Sequence, residues 1–227
     1  MKIGILQTGY APDAIKNNQG DYDKLFHRLL DDPTFEFETY LVLEGKFPKS
    51  IDECDGWLVT GSKHGVYEDH AWIPPLEDLI REIATAQIPL VGICFGHQII
   101  AQALGGHVEK FDGGWSVGLT QYDLGDRAIN LNAWHQDQVI TPPASAKTLA
   151  SSPFCKHAVL AYGDHIYTTQ PHPEFDTDVI DGLIRTRGKG VVPDDLLEQA
   201  TENLKRPDDN GYLKQTLISF FKNKGAA

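Results

Sequence analysis

The sequence is poor in cysteine and has no long apolar segment. Its three cysteines among 227 residues are Cys54, Cys94 and Cys155. An odd and small number of cysteines is a poor disulfide framework, so a reducing cytoplasm is the expected location. No apolar run reaches transmembrane length, and residues 1–6 enter a strand pattern without the apolar stretch and cleavage site of a signal peptide. We therefore expect no signal peptide and no membrane partner.

Positive charge is also scarce. Lysines and arginines number 20 against 32 aspartates and glutamates, which gives a formal net charge of −12. This excess of acid argues against a nucleic-acid or anionic-membrane partner, because little would neutralise the phosphates. Hydrophobic residues make up 41% and charged residues 23%, a balance typical of a globular protein. The length suits one medium-sized α/β domain.

The common metal and phosphate motifs are missing as well. The sequence contains no C-x-x-C, no H-E-x-x-H and no glycine-rich phosphate loop ending in Gly-Lys-Ser/Thr. His64 and His70 stand close together, but we interpret their surroundings as an ordinary polar loop. We therefore expect no metal site and no bound cofactor.

Strand and helix patterns alternate along the first half of the chain. The predicted strands are 2–7, 35–43, 56–60 and 89–93, and the predicted helices are 21–30, 74–87 and 95–104. Short strands follow at 107–110, 115–122, 128–134, 146–150, 158–162 and 165–169, and then helices at 174–187, 194–204 and 212–222. Alternation of this kind predicts an α/β fold with a mainly parallel sheet covered on both faces.

The segment Gly92-Ile93-Cys94-Phe95-Gly96 places a cysteine between a predicted strand and a predicted helix. Glycines on both sides allow a sharp turn and close packing of the helix on the strand. A nucleophile on such a turn is exposed at the carboxyl end of the sheet, and the helix N-terminus favours negative charge there. The N–H of Phe95 would be one oxyanion donor. The alternative is a buried structural cysteine, the commonest fate of a free cysteine.

A cysteine nucleophile needs a base, and His172 stands out by its context among nine histidines. In the segment Pro171-His172-Pro173-Glu174 the two prolines favour extended backbone, in which residues two apart point to the same side. Glu174 could then accept one ring N–H of His172 while the other nitrogen faces Cys94. From these residues alone, His172 could equally be a loop histidine beside an acidic first turn of the next helix.

A thioester-forming enzyme also needs a second oxyanion donor. The glycine-bearing segment Thr60-Gly61-Ser62-Lys63 follows the predicted strand 56–60 and lies at its carboxyl end, where ligands bind in open α/β sheets. A backbone N–H of the Gly61 region could therefore face the reacting carbonyl. The alternative is an ordinary connection between a strand and a helix.

Four segments together resemble the class I (triad) glutamine amidotransferases. They are Gly92-Ile93-Cys94-Phe95-Gly96-His97-Gln98, Pro171-His172-Pro173-Glu174, Trp134-His135-Gln136-Asp137 and Asp55-Gly56-Trp57-Leu58-Val59-Thr60-Gly61-Ser62. The branch most similar to this chain comprises stand-alone proteins resembling the glutaminase domain of GMP synthase, and plant γ-glutamyl peptidases share the Gly-Ser-x-His loop. Where many family members have Gly-Gly-Pro in that loop, this chain has Gly61-Ser62-Lys63.

This resemblance implies roles for individual residues. The implied catalytic residues are Cys94 as nucleophile, His172 as base and acid, and Glu174 as the orienting carboxylate. The implied substrate-binding residues are Gly61 and Phe95 as backbone donors, Gln98 as a contact to the amino-acid end of the substrate, and His135 in a pocket-lining segment. Asp137 is expected to be a structural partner of His135.

The resemblance also implies the fold and the domain organisation. The expected fold is a flavodoxin-like, doubly wound, mainly parallel sheet with an antiparallel extension, followed by C-terminal helices. Residues 1–187 would form the class I glutamine amidotransferase-like domain, and residues 188–227 a helical extension packed on the same domain.

The implied activity is hydrolysis of the γ-amide of glutamine through a γ-glutamyl thioester on Cys94. Two alternatives share this chemistry. One is a γ-glutamyl peptidase that acts on glutathione-like conjugates. The other is a glutaminase that works only with a synthase partner accepting the ammonia, since no acceptor domain follows in the sequence.

Overall fold

The computed structural model describes residues 1–223 and contains one seven-stranded sheet and two separate two-stranded sheets. The strands are β1 (Lys2–Leu6), β2 (Glu36–Tyr40), β3 (Gly56–Val59), β4 (Leu90–Ile93), β5 (His107–Lys110), β6 (Ser116–Asp123), β7 (Ala128–His135), β8 (Asp137–Thr141), β9 (Ala146–Ala150), β10 (Val159–Tyr162) and β11 (Ile166–Thr169). The helices are α1 (Asp13–Gln19), α2 (Tyr22–Leu29), α3 (Ile73–Thr85), α4 (Phe95–Ala103), α5 (Thr177–Leu183), α6 (Asp194–Asn203) and α7 (Asn210–Lys222).

The main sheet has the strand order β2-β1-β3-β4-β11-β10-β9. The first five of these strands are parallel to one another. At one edge, β10 pairs antiparallel with β11, and β9 pairs antiparallel with β10. The pairs β5–β8 and β6–β7 form two further antiparallel sheets. The expected doubly wound, mainly parallel sheet with an antiparallel extension is therefore confirmed.

Helices cover both faces of the main sheet, because its short central strands are apolar on both sides. On one face, α3 and α4 pack over side chains such as Leu6, Val59 and Leu90. On the other face, α2 and α7 pack over alternate side chains such as Ile5 and Val91. None of the helices described between residues 1 and 223 is long and apolar enough to cross a bilayer.

The structure differs locally from the sequence prediction at three places. The predicted strand 35–43 ends at Tyr40, and residues 42–44 form a single 3-10 turn. The predicted helix 174–187 begins only at Thr177, because the side chain of Asp176 caps it by accepting the N–H of Val179 at 2.9 Å. Beyond α5, residues 184–188 wind as a π-helical turn.

The C-terminal helices lie against the rest of the chain. Ala200 of α6 packs on Gly118 of β6, and α7 contributes Leu217 and Phe221 to the cluster on one face of the main sheet. The boundary between a domain 1–187 and an extension 188–227 stays a prediction, and residues 224–227 of that extension lie outside the described residues.

Candidate active site

The carboxyl ends of β3, β4 and β11 meet at one edge of the sheet. Cys94 directly follows β4, Gly61 lies two residues beyond β3, and His172 lies three residues beyond β11. The parallel pairing of Thr169 with Ile93 then puts the residues after both strands side by side. The sheet thus brings together three residues that are up to 111 positions apart in the sequence.

Cys94 sits on a strained turn between β4 and α4. Its backbone has φ 52° and ψ −101°, a region that L residues seldom adopt and that is often found at functional sites. Its N–H donates to the carbonyl of Thr169 at 2.9 Å, and the N–H of Gly96 donates to the carbonyl of Thr60 at 3.1 Å. These two hydrogen bonds tie the turn to β11 and to the end of β3.

Both glycines that flank this turn are required by close packing. A Cβ on Gly96 would lie 2.2 Å from the carbonyl oxygen of Val59, and one on Gly92 would lie 2.5 Å from the carbonyl oxygen of Gly96. Neither distance is compatible with a side chain, so the glycines allow α4 to begin directly against the sheet. Cys94 is consequently held at the N-terminus of α4, where helix dipoles stabilise negative charge.

His172 lies beside Cys94 and is paired with Glu174. Nδ1 of His172 is 2.7 Å from Oε1 of Glu174, and only 4% and 1% of the two side chains are exposed. The His172 ring stacks on Phe175, with the ring centres 3.9 Å apart and the planes within 4°. The pairing fixes the ring with Nδ1 on the carboxylate, which leaves Nε2 as its second functional nitrogen.

The charges around His172 change its protonation. Burial lowers the pKa of this imidazole, but the negative charges of Glu174 and of the Cys94 sulfur outweigh it and raise the pKa from 6.5 to about 10. The imidazolium form of His172 is therefore favoured at neutral pH. This arrangement can supply a proton to a leaving amine and take one back from water.

The loop at Gly61 closes the site from the side of β3. A Cβ on Gly61 would lie 3.2 Å from Cε1 of His172 and 3.9 Å from Cβ of Cys94. The carbonyl of Gly61 accepts hydroxyl groups of Thr8 at 3.1 Å and Thr60 at 3.0 Å, and Ser62 Oγ donates to the carbonyl of Thr8 at 2.7 Å. Hydroxyl groups of Thr8, Thr60 and Ser62 thus anchor this loop.

Gln98 and Gln170 form a buried amide pair beside Cys94. Nε2 of Gln98 donates to the carbonyl of Asp137 at 2.8 Å and to Oε1 of Gln170 at 3.1 Å. Nε2 of Gln170 in turn reaches the Cys94 sulfur at 3.6 Å. The contact of Gln98 with a substrate stays a prediction. Its N–H groups are already used by the protein, which leaves its carbonyl oxygen as the group that could meet a substrate.

Sequence reasoning missed Gln170. The residue directly follows β11, as Cys94 directly follows β4, so the register of these two parallel strands places them next to each other. Its position before the Pro171-His172 segment was visible in the sequence, but the pairing of β11 with β4 was not. The strand order of the sheet is therefore the information needed to identify Gln170 as a neighbour of Cys94.

His135 and Asp137 lie at the end of β7 and the start of β8. Nδ1 of His135 is 3.3 Å from the carbonyl oxygen of Asp137, and its Nε2 is buried without a protein partner among residues 1–223. Burial, together with the charge of His172, lowers the pKa of His135 to about 3, so this ring is neutral. The carboxylate of Asp137 accepts the hydroxyl of Tyr67 at 3.0 Å.

One cavity of about 510 Å³ connects these groups. Among the predicted residues, it is lined by Gly61, Cys94, Gln98, His135 and His172, while Phe95 and Glu174 lie behind its wall. The volume lies in the range of ordinary small-molecule sites.

The wall of the cavity is basic and aromatic, although the chain is acidic. Its cationic side chains are Lys63, Lys110, Arg187 and Lys189, and its aromatic ones include Tyr22, Tyr67, Trp115 and Trp134. Arg187 is fixed by hydrogen bonds to the hydroxyl of Tyr22 at 3.3 Å and the carbonyl of Tyr10 at 2.8 Å. Only Glu68 and Asp137 contribute carboxylates to the same wall within residues 1–223. The cavity therefore favours an anionic ligand with some apolar surface.

Comparison with known proteins places these observations in a family. The family model described as glutamine amidotransferase class-I matches residues 32–184. That span contains Gly61, Cys94, Gln98, His135 and the His172–Glu174 pair.

Similar proteins include both hydrolases and components of synthases. Gamma-glutamyl peptidase 2 of Arabidopsis thaliana is 27% identical over 239 residues, covering 98% of this chain and 96% of that protein. The glutamine-hydrolysing GMP synthase chain of Halobacterium salinarum is 31% identical over 174 residues, covering 70% of this chain and 87% of that protein.

The fold has solved counterparts. A glutamine amidotransferase from Thermotoga maritima superimposes with a TM-score of 0.78 at 18% identity, covering 100% of this chain and 99% of that one. At that identity the match concerns the fold alone.

Proposed function

The chain belongs to the class I glutamine amidotransferase family, and we propose that it hydrolyses γ-glutamyl amide bonds through a thioester on Cys94. The observation that carries this proposal is the position of Cys94, on a strained turn beside the buried His172–Glu174 pair. This arrangement supports roles for Cys94 as nucleophile, His172 as base and Glu174 as orienting acid, the order that covalent catalysis requires.

The proposed reaction has two halves. The Cys94 thiolate attacks the γ-carbonyl carbon, and the N–H groups of Phe95 and Gly61 stabilise the oxyanion. His172 then protonates the leaving nitrogen as the C–N bond breaks, which frees ammonia or an amine and leaves a γ-glutamyl thioester. Water next attacks the thioester and gives a proton to His172, and the C–S bond breaks to release glutamate and the thiolate.

The cavity favours a substrate larger than glutamine. About 510 Å³ lined by four cations and several aromatic rings exceeds what a single carboxamide leaving group needs. A γ-glutamyl peptide or conjugate whose leaving amine carries a carboxylate would use that basic wall. The near full-length similarity to a γ-glutamyl peptidase supports the same assignment. We therefore propose such compounds, and not glutamine, as the preferred substrates, although the sequence alone favours glutamine.

A glutaminase that depends on a synthase partner is the second candidate. Its support is the 31% identity to a glutamine-hydrolysing GMP synthase chain over 70% of this protein. This candidate predicts low turnover in the isolated protein and glutamine as the preferred substrate.

A substrate panel with glutamate release as the readout separates these candidates. We expect the isolated chain to hydrolyse γ-glutamyl dipeptides with a higher kcat/KM than glutamine. Cys94→Ser should abolish both activities, whereas Cys155→Ser, a buried cysteine outside the cavity, should leave them unchanged. Turnover of neither substrate by the isolated chain would count against the peptidase and leave the partner-dependent glutaminase.

A further inference from the structure

Two histidines and a glutamate converge at the rim of the catalytic cavity. Oε2 of Glu68 lies 3.0 Å from Nδ1 of His64 and 2.7 Å from Nε2 of His70. The three ligand atoms all lie within 4.8 Å of one another. We propose that His64, Glu68 and His70 bind one divalent transition-metal ion, with Zn²⁺ as the best match.

The donor set fits such an ion chemically. Imidazole nitrogen and carboxylate oxygen bind Zn²⁺ at about 2.0–2.2 Å, which sets the spacing between neighbouring ligand atoms in a tetrahedral site at about 3.3 Å. To reach that spacing, the observed separations of 3.0 and 2.7 Å need to widen by about 0.3 and 0.6 Å, and the two histidine nitrogens already lie within 4.8 Å of each other. Two histidines and one carboxylate also leave an open position for water, and imidazole suits zinc, copper and nickel more than magnesium or calcium.

The surroundings hold these ligands in place without competing for them. The second oxygen of Glu68, Oε1, accepts the N–H of Gly65 at 2.9 Å, which turns Oε2 towards the two rings. The ring of His70 stacks on Trp72 at 5.7 Å with the planes within 12°. Among residues 1–223, no lysine or arginine pairs with Glu68. Outer contacts of this kind orient metal ligands in known sites.

The position of the cluster connects it to the catalytic cavity. His64 and Glu68 line the cavity, and the segment that carries them follows the loop at Gly61. Trp72, on which both histidine rings pack, contacts Phe95 at 5.5 Å between ring centres. An ion here would cross-link residues 64–70 and add positive charge to the rim beside Lys63.

Metal binding can be measured apart from catalysis. Zn²⁺ titration by calorimetry in a Cys94→Ala background, in which the active-site thiol cannot bind the ion, should show one site per chain. His64→Ala and His70→Ala should each weaken binding by more than about 100-fold, beyond what loss of an outer contact costs. Zn²⁺ should also raise the melting temperature of the Cys94→Ala protein, but not that of its His70→Ala derivative.

Two further variants keep this test decisive. Glu68→Gln keeps the shape and the acceptor for Gly65 while removing the charge, so it should fold and still lose affinity. His107→Ala removes a histidine that contacts only one carboxylate, Glu109 at 3.1 Å, and should leave Zn²⁺ binding unchanged. Equal Zn²⁺ affinity in the Cys94→Ala protein and its His64→Ala, Glu68→Gln and His70→Ala derivatives, or no binding in any of them, would overturn the proposal.

Discussion

At the scale of single residues, the site depends on a buried charge pair that cannot stand alone. The Glu174 carboxylate is almost fully buried, and its only protein partner within residues 1–223 is the His172 ring. A buried carboxylate without a compensating proton donor is costly, so the imidazolium is part of what makes the site stable. The chemistry and the folding of this segment are therefore coupled.

The raised pKa of His172 predicts a specific pH dependence. We expect the activity of the wild-type protein to fall in alkaline solution, as the imidazolium is lost near pH 10. Glu174→Gln removes the charge that raises this pKa and leaves burial, which lowers it. The alkaline limb of kcat/KM should consequently move to lower pH, which a pH–rate profile measures.

The same shift has a stability consequence of defined sign. Because the pKa of His172 is higher in the folded state than its ordinary value of 6.5, its contribution to stability is complete below pH 6.5 and is lost as the pH rises towards 10. The free energy of unfolding of Glu174→Gln should not show this decrease between pH 6.5 and pH 10. Glu198→Gln, an exposed carboxylate on α6, is the control and should follow the wild type in both experiments. An unmoved alkaline limb in Glu174→Gln would contradict the assignment.

The sequence could predict the pairing of His172 with Glu174 because both residues lie in one extended segment. It could not predict the contact of Gln170 with Cys94, since that contact depends on which strand lies beside β4. The role of Glu174 was ambiguous for a similar reason. Asp176, two residues later, caps α5, and this leaves the Glu174 carboxylate free to face His172.

At the scale of elements, the turn from β4 into α4 limits which residues the site accepts. Cys94 has a strained backbone, and α4 begins so close to β3 that Gly96 touches the carbonyl of Val59. The strain is held by hydrogen bonds from Cys94 to Thr169 and from Gly96 to Thr60. Strands and helix together therefore fix the direction of the thiol.

Gly96→Ala tests this packing. The new methyl group would stand 2.2 Å from the Val59 carbonyl, so α4 must move outward. We expect a loss of about 1–3 kcal/mol in the free energy of unfolding, as for other overpacked sites, together with a large fall in kcat. Denaturant unfolding and steady-state kinetics measure the two effects.

Gly211→Ala provides the matched control for that substitution. Gly211 lies in α7, and an added Cβ there meets no atom of residues 1–223 within 4 Å. The change should raise stability by about 0.5–1 kcal/mol through helix propensity and leave kcat unchanged. Similar stability for Gly96→Ala and the wild type would show that the glycine is not required.

The sequence pattern predicts most of the remaining helices and strands, but not helix α1 or strand β8. Helix α1 has only one buried residue, Ile15, so it carries no amphipathic signal. Strand β8 begins at Asp137, which was interpreted through its chemistry and not as part of a strand. Short elements whose pairing partner is distant in sequence leave the weakest local signal.

At the scale of the whole molecule, the charge distribution is uneven. The chain carries a net charge of −12, yet the cavity beside Cys94 is lined by four cations and two carboxylates. The cations that line the cavity favour anionic ligands there, against the negative charge of the whole chain. Composition alone gave the sign of the total charge and missed the sign at the site.

Replacement of the lysines that line the cavity should raise KM for a substrate whose leaving group carries a carboxylate, but not KM for glutamine. Lys63→Gln and Lys110→Gln should each raise KM for a γ-glutamyl dipeptide with a free carboxylate by about two- to fivefold, the range of exposed ion pairs. KM for glutamine should stay the same. Lys147→Gln, on β9 outside the cavity, is the control. Equal effects of the lysine substitutions on both substrates would argue against a carboxylate on the leaving group.

The central claim is that Cys94 carries the γ-glutamyl group during turnover. Acid quenching during hydrolysis of a γ-glutamyl dipeptide, followed by digestion and mass spectrometry, tests it directly. We predict a γ-glutamyl adduct on the peptide that contains Cys94, its absence in Cys94→Ser, and its persistence in Cys54→Ser and Cys155→Ser. Undiminished glutamate release by Cys94→Ser, or an adduct on another residue, would contradict this claim.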